Sequence, residues 1–270
     1  VTEGFNPAIL FGWALAALLF GLSLWLAAGG QLRRGAHIGF AGVAVLGAVT
    51  LYSHDVMAMP QMCAALLAGG ALGLLIGRGV PKAALPAWLG VFAGQAGLAA
   101  LLVALAAWRN PHAFGLLDDA TDGMVQGAVA AMGLGAGFGA MACGGAMTIL
   151  RREGTWIGPL LFGCGLAMLA GGMVRAFAHD PQLGVMGGGI GVGLIAGHGL
   201  VKGALRAGVG PALAAAGGMA GWAVAACGFL LENMGLAVAG GLAGATASLF
   251  ALRLCGWVGR KGLADAGRHA

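Results

Sequence analysis

Nine apolar stretches fill almost the whole chain, and twelve of its fourteen Lys and Arg residues fall on alternate connections between them or on the C-terminal tail. Each stretch suits a bilayer, because about 30 Å of hydrocarbon is crossed by roughly 20 residues at about 1.5 Å per residue. The spans are read as 7–28, 37–53, 57–77, 84–108, 123–149, 155–174, 182–201, 209–230 and 234–257. The runs are continuous and show no in/out alternation, and a backbone N–H in hydrocarbon must be satisfied within its own segment. Helices are therefore expected rather than a barrel. The expected fold is an all-α membrane protein, a nine-transmembrane-helix bundle forming a single domain over 1–270.

Charge sets the orientation. The connections after spans one, three, five and seven, with the tail, carry Arg33, Arg34, Arg78, Lys82, Arg151, Arg152, Lys202, Arg206, Arg253, Arg260, Lys261 and Arg268, against only Arg109 and Arg175 on the other face. Basic residues are retained in the cytoplasm, so the N-terminus is expected outside (periplasmic) and the C-terminus cytoplasmic. The acids agree: Glu3, Asp55, Asp118, Asp119, Asp122, Asp180 and Glu232 fall outside, and Glu153 and Asp265 inside. Trp25, Trp88, Trp108, Trp156 and Trp257 lie near span ends, where an indole prefers the headgroup level, while Trp222 lies within a span and is expected to pack against other helices.

A chain that is 60% hydrophobic and 9% charged, with mean hydropathy +0.92, is excluded as a water-soluble domain. The net charge of +5 is spread in pairs over cytoplasmic turns and calls for anionic membrane lipids, not nucleic acid. Cys63, Cys143, Cys164, Cys227 and Cys255 lie in or beside spans without CxxC spacing and read as small packing residues, so no metal is expected there. The chain starts without Met; its first span is too long for a removed signal peptide.

Glycine numbers 55, and much of it recurs every fourth residue: Gly69, Gly73 and Gly77; Gly123 and Gly127; Gly135 and Gly139; Gly189, Gly193 and Gly197; Gly217 and Gly221; Gly240 and Gly244. That spacing puts the glycines on one helix face and lets a second backbone approach closely. The runs GLGAGFG at 133–139 and MGGGIGVG at 186–193 are not nucleotide loops, since a phosphate cradle follows a strand in water and these lie inside apolar spans.

The segment starting at Leu18, Leu19, Phe20 and Gly21 and running LLFGLSLWLAAGGQLRRGAHIGFAGVAV, then ALLAGGALGLLIGRGV at 65–80, LPAWLGVFAGQAGLAALLVAL at 85–105 and AGWAVAACGFLLEN at 220–233 follow one another in the order found in a known family. Together they resemble the membrane domain of the β subunit of proton-translocating NAD(P) transhydrogenases. The resemblance covers nearly the whole chain. It implies nine spans in the same orientation, a membrane domain that couples hydride transfer between nucleotides to proton movement, the inner membrane of a bacterium, and a homodimer. It also implies an NADP-binding domain after the last span; the chain reaches Ala270 about where that domain would begin, so no cofactor is expected here. The family carries a proton-pathway His in the fourth span, a Ser in the fifth and an Asn in the eighth. Aligned with them are Ala93, Met141 and Gly217, which cannot relay a proton.

The remaining intramembrane polar candidates are Gln61, Gln95, Gln126, His198, Thr246 and Ser248, of which only His198 is ionisable. Gln95 is two positions from Ala93, roughly 200° around a helix, and suits interhelical hydrogen bonding rather than replacement of the missing His. External His54, Asp55, His112, Asp118, Asp119, Asp122, His179 and Asp180 read as solvated loop residues, without the spacing of a metal-ligand set. The acidic fourth connection is the best partner contact. The expected function is a non-catalytic accessory subunit that packs against other integral membrane subunits of an energy-converting complex. The alternative is a proton-translocating transhydrogenase component whose nucleotide domains lie on other chains. A solute transporter is weaker, because no broken span marks a midplane site.

Overall fold

The computed structural model describes residues 7–53, 59–81, 84–118, 123–150, 157–177 and 180–256. Within them run nine α-helices: α1 Pro7–Ala28, α2 Leu32–Ser53, α3 Met59–Gly79, α4 Leu85–Arg109, α5 Gln126–Leu150, α6 Ile157–Phe177, α7 Pro181–Leu205, α8 Val209–Leu230 and α9 Met234–Leu254. Seven of them, α1, α2, α4, α5, α7, α8 and α9, are long and apolar enough to cross a membrane. α6 contributes a shorter apolar stretch, Gly163–Val174, whose twelve residues reach about 18 Å at 1.5 Å each.

Several helices outrun their expected spans. α2 starts at Leu32 rather than 37, so Arg33 and Arg34 lie in its first turn, and α7 continues to Leu205 rather than 201. Hydropathy marks the hydrocarbon-length segment, whereas a helix ends where its backbone turns. Gly30, at φ 81°, makes such a turn before α2. Lys82, Arg151, Arg152, Glu153, Trp156, Trp257, Arg260, Lys261, Asp265, Arg268 and Glu3 lie outside the described residues.

The chain divides into two compact units, 1–85 and 86–270. In the first, α1 and α2 form an antiparallel hairpin. Ser23 Oγ donates to the Gly35 carbonyl oxygen at 2.7 Å, and Gly12 lies against Val49 at the far end.

In the second unit α5 is central and packs against α7 and α8, while α6 lies on α7 and α9 on α8. α4 is tied to α5 by Cys143 Sγ, 3.3 Å from the Gly94 carbonyl, and to α8 by Cys227 Sγ, 3.7 Å from that of Ala100. The connection from α4 to α5 makes a 3-10 turn at Pro111–Phe114 and then an antiparallel bridge, Leu117 to Met124.

Among the described residues, side chains cap two helix starts. Asp180 precedes Pro181 and accepts from Leu183 N at 3.1 Å to open α7; buried Asn233 accepts from Leu236 N at 2.9 Å to open α9. The end of α8 closes with Asn233 N on Gly228 O at 2.8 Å and Glu232 N on Phe229 O at 3.3 Å. That closure needs a left-handed residue, usually glycine, and here Glu232 takes it at φ 48°. A side chain in this conformation costs about 1–2 kcal/mol.

Candidate functional site

The helices of the second unit meet largely through glycine. On α7, Gly189, Gly193 and Gly197 occupy successive turns of one face, and α5 presents the backbone of Gly133, Gly137 and Met141 at the same spacing. A Cβ at Gly189 would stand 2.7 Å from the Gly133 oxygen. One at Gly193 would strike the Gly137 oxygen, and one at Gly197 the Met141 oxygen. The constant offset of 56 residues between partners means that α5 and α7 run parallel. Gly145 continues the row against Val201, where an added Cβ would stand 2.7 Å from Cγ2.

Antiparallel seams flank it. Gly97 and Gly139 face each other, each Cβ position 2.5 Å from the other's carbonyl oxygen. Gly221 lies against Gly244, and Gly240 against Ala225. At Gly135 an added Cβ would meet Ala226, Ala104 and Leu230 at an ordinary 3.7–3.9 Å. Gly69, Gly73 and Gly217 have no neighbour within 4 Å of a Cβ among the described residues, and the surroundings of Gly77 lie outside them.

The three positions at which the resemblance led us to expect proton-pathway side chains fall in or beside an apolar region. Ala93 belongs to a buried cluster with Ala142, Ile149, Val201, Ala216 and Met219, and Met141 packs against it. Gly217 is half-buried on α8, next to Ala216.

At the C-terminal ends of α5 and α7 lies a polar pair. Thr148 Oγ1 is 2.7 Å from the Gly144 carbonyl oxygen and 2.9 Å from His198 Nδ1. The carbonyl only accepts, so the single hydroxyl proton goes to it, and Thr148 must accept from His198. The ring therefore carries its neutral-state proton on Nδ1 and offers Nε2 as acceptor. Thr148 is 8% exposed and His198 half-buried; exposed Lys202 follows one turn later.

The other polar candidates are scattered. Gln95 and Gln126 are exposed on α4 and α5, and Gln61 lies on α3 with its side chain outside the described residues. Ser248 accepts from Trp222 Nε1 at 3.2 Å, and Thr246 is half-buried on α9. Among the described residues no three His, Cys, Asp or Glu side chains gather as a metal set; His54, Asp55, Asp119, Asp122 and His179 lie outside them.

Sequence reasoning missed Thr148, which sits in an apolar context 50 residues from its partner. It also missed that α7's glycine row meets the row 133, 137, 141 and not 135, 139. Parallel runs of glycine at the same spacing were the available signal.

Long apolar helices joined at glycine seams define a multi-pass helical membrane protein. Residues 10–263 match the profile of the NAD(P) transhydrogenase beta subunit, and the chain belongs to that family, as its ordered segments indicated. Two curated relatives, NAD(P) transhydrogenase beta subunits from Rhodospirillum rubrum and from a designated strain of that species, are each 33% identical over 136 residues. The match takes in 50% of this chain and 29% of each relative.

Proposed function

We propose that this chain is a non-conducting membrane subunit of transhydrogenase-β type, seated in a bacterial inner membrane, that holds other integral membrane subunits of an energy-converting assembly. The observation that carries the reading is the apolar cluster around Ala93, with Met141 against it. Where the family resemblance calls for a His and a Ser, these side chains supply neither a titratable group nor a hydroxyl. The glycine face of α3 supports the second half, since Gly69 and Gly73 are left uncovered among the described residues and suit a helix of another subunit.

The chain reconstituted in liposomes with an imposed pH gradient is expected to leak protons no faster than empty liposomes, and gentle solubilisation is expected to recover it with stoichiometric membrane partners. Gradient collapse caused by the chain, or recovery as a lone polypeptide, would overturn the corresponding half.

The Thr148–His198 pair favours a second reading, a proton-translocating transhydrogenase component with nucleotide domains supplied elsewhere, in which His198 Nε2 takes up the proton. That reading requires vesicles holding the whole assembly to acidify with NADH and NADP, and His198→Ala to abolish the response.

A further inference from the structure

An apolar groove of about 710 Å³ runs between α5 and α8 in the second unit, from Gly127 and Glu232 at one end to Phe138 and Trp222 at the other, with Ala130 and Phe229 on its walls. We infer that it holds one acyl chain of a phosphatidylethanolamine whose ammonium group pairs with the Glu232 carboxylate.

Length is the first argument. Gly127 to Phe138 is eleven residues of one helix, about 16 Å at 1.5 Å per residue, which is close to half of the roughly 30 Å hydrocarbon layer. The groove thus matches one leaflet's depth of tail, with its polar mouth at the headgroup level. Small residues on α5 open the space, and the rings of Phe138, Trp222 and Phe229 give a tail extended apolar surface. Phe138 and Trp222 lie 6.4 Å apart, centroid to centroid, and the Trp222 indole is held by its hydrogen bond to Ser248, so that end is built of fixed rings.

Charge is the second. Glu232 lines the mouth and is exposed, and no basic residue stands in the last turn of α8. The carbonyl end of α8 and the amide end of α9 meet here, so their partial charges oppose, and Glu232 is the charged residue among those lining the groove. A primary ammonium both neutralises it and donates hydrogen bonds to it. A choline headgroup has no N–H to give, and a glycerol phosphate headgroup is repelled. Glu232 also stands at a left-handed position where glycine is the relaxed choice, so the backbone closure does not account for a carboxylate there.

The purified full chain, stripped of lipid and offered dioleoyl phosphatidylethanolamine, phosphatidylcholine and phosphatidylglycerol at equal concentrations, is read by native mass spectrometry. The ethanolamine lipid is expected to bind about tenfold more tightly than the other two, the scale of a hydrogen bond to a charged group. Glu232→Gln is expected to bring the three within about twofold. Glu232→Gly is expected to erase the preference while raising the melting temperature by relaxing the turn, which separates loss of the carboxylate from loss of fold. Ala130→Trp, at an exposed wall position, is expected to remove the adduct whatever its headgroup. Equal retention of the three lipids by the unaltered chain overturns the proposal, as does a preference that survives Glu232→Gln. So does an Ala130→Trp variant that keeps its lipid and sheds a co-purified polypeptide, which would make the groove a protein contact.

Discussion

Two helices carry glycine at the same four-residue spacing and meet different surroundings. On α7, Gly189, Gly193 and Gly197 each lie against an α5 carbonyl, close enough that an added Cβ would collide with backbone. On α3, Gly69 and Gly73 have nothing within 4 Å among the described residues. Spacing supplies a smooth face; a seam also requires a partner with small residues in matching register. α5 meets that condition with Gly133, Gly137 and Gly145. α8 shows the distinction within one row, since Gly221 is pressed against Gly244 while Gly217, one turn earlier, has nothing within 4 Å of an added Cβ among the described residues. Gly218 is the residue that meets Ser248 there.

The largest effect is expected where backbone meets backbone. Gly197→Leu would drive a side chain into the Met141 peptide, which cannot swing aside as a side chain does. A loss of about 3 kcal/mol or more is expected, at the upper end of overpacking effects, read by unfolding in mixed micelles. A variant as stable as the parent would show that α7 does not pack on α5 at this turn. Gly139→Ala tests the antiparallel seam with a single methyl group, whose carbon would stand 2.5 Å from the Gly97 oxygen. The expected loss is about 1–2 kcal/mol, and Gly97→Ala is expected to match it because the contact is reciprocal.

How much of this was written in the sequence follows from what lipid does to the pattern. Helix positions were legible, because hydropathy and length report the bilayer directly. The starts of α7 and α9 were also written locally, in Asp180–Pro181 and in Asn233. Which face of each helix points inward was not. In water a helix announces its buried side by polarity, but lipid is as apolar as a protein core, so that signal vanishes and small residues become the only marker. The rows at 135/139 and 189/193/197 were visible, yet their partners had to come from three-dimensional register. Thr148 left no trace at all, since its value lies in a neighbour 50 residues away. The family was legible from the order of segments, whereas the Glu232 turn and the groove beside it were not, because a left-handed Glu looks like any loop residue.

A smaller effect is expected where the seam between α5 and α7 turns polar. Thr148→Val removes the hydroxyl that accepts from His198 Nδ1. Hydrogen bonds between membrane helices average about 0.6 kcal/mol, so the stability loss is expected to be near that value, well below the glycine collisions. The sharper readout is the imidazole nitrogen spectrum. The parent is expected to show the Nδ1–H form and the variant a mixture of tautomers. A parent already mixed would mean that Thr148 does not fix the ring.

The smallest effect should come from the same substitution used for the largest. Gly73→Leu places on α3 the side chain that is ruinous at 197, but among the described residues nothing stands in its way. The stability of the isolated chain is therefore expected to change by less than about 0.5 kcal/mol, as at a surface position. If the α3 face receives a helix of another subunit, the loss appears elsewhere: Gly73→Leu lowers recovery of that partner on gentle solubilisation while leaving the melting curve unchanged. Gly197→Leu, by contrast, lowers the melting curve, because its collision lies in a seam within the second unit. A variant at 73 that unfolds like the one at 197 would place α3's glycines in a seam within the chain and remove the contrast between the two rows. One that leaves both stability and recovery untouched would remove the partner contact from α3.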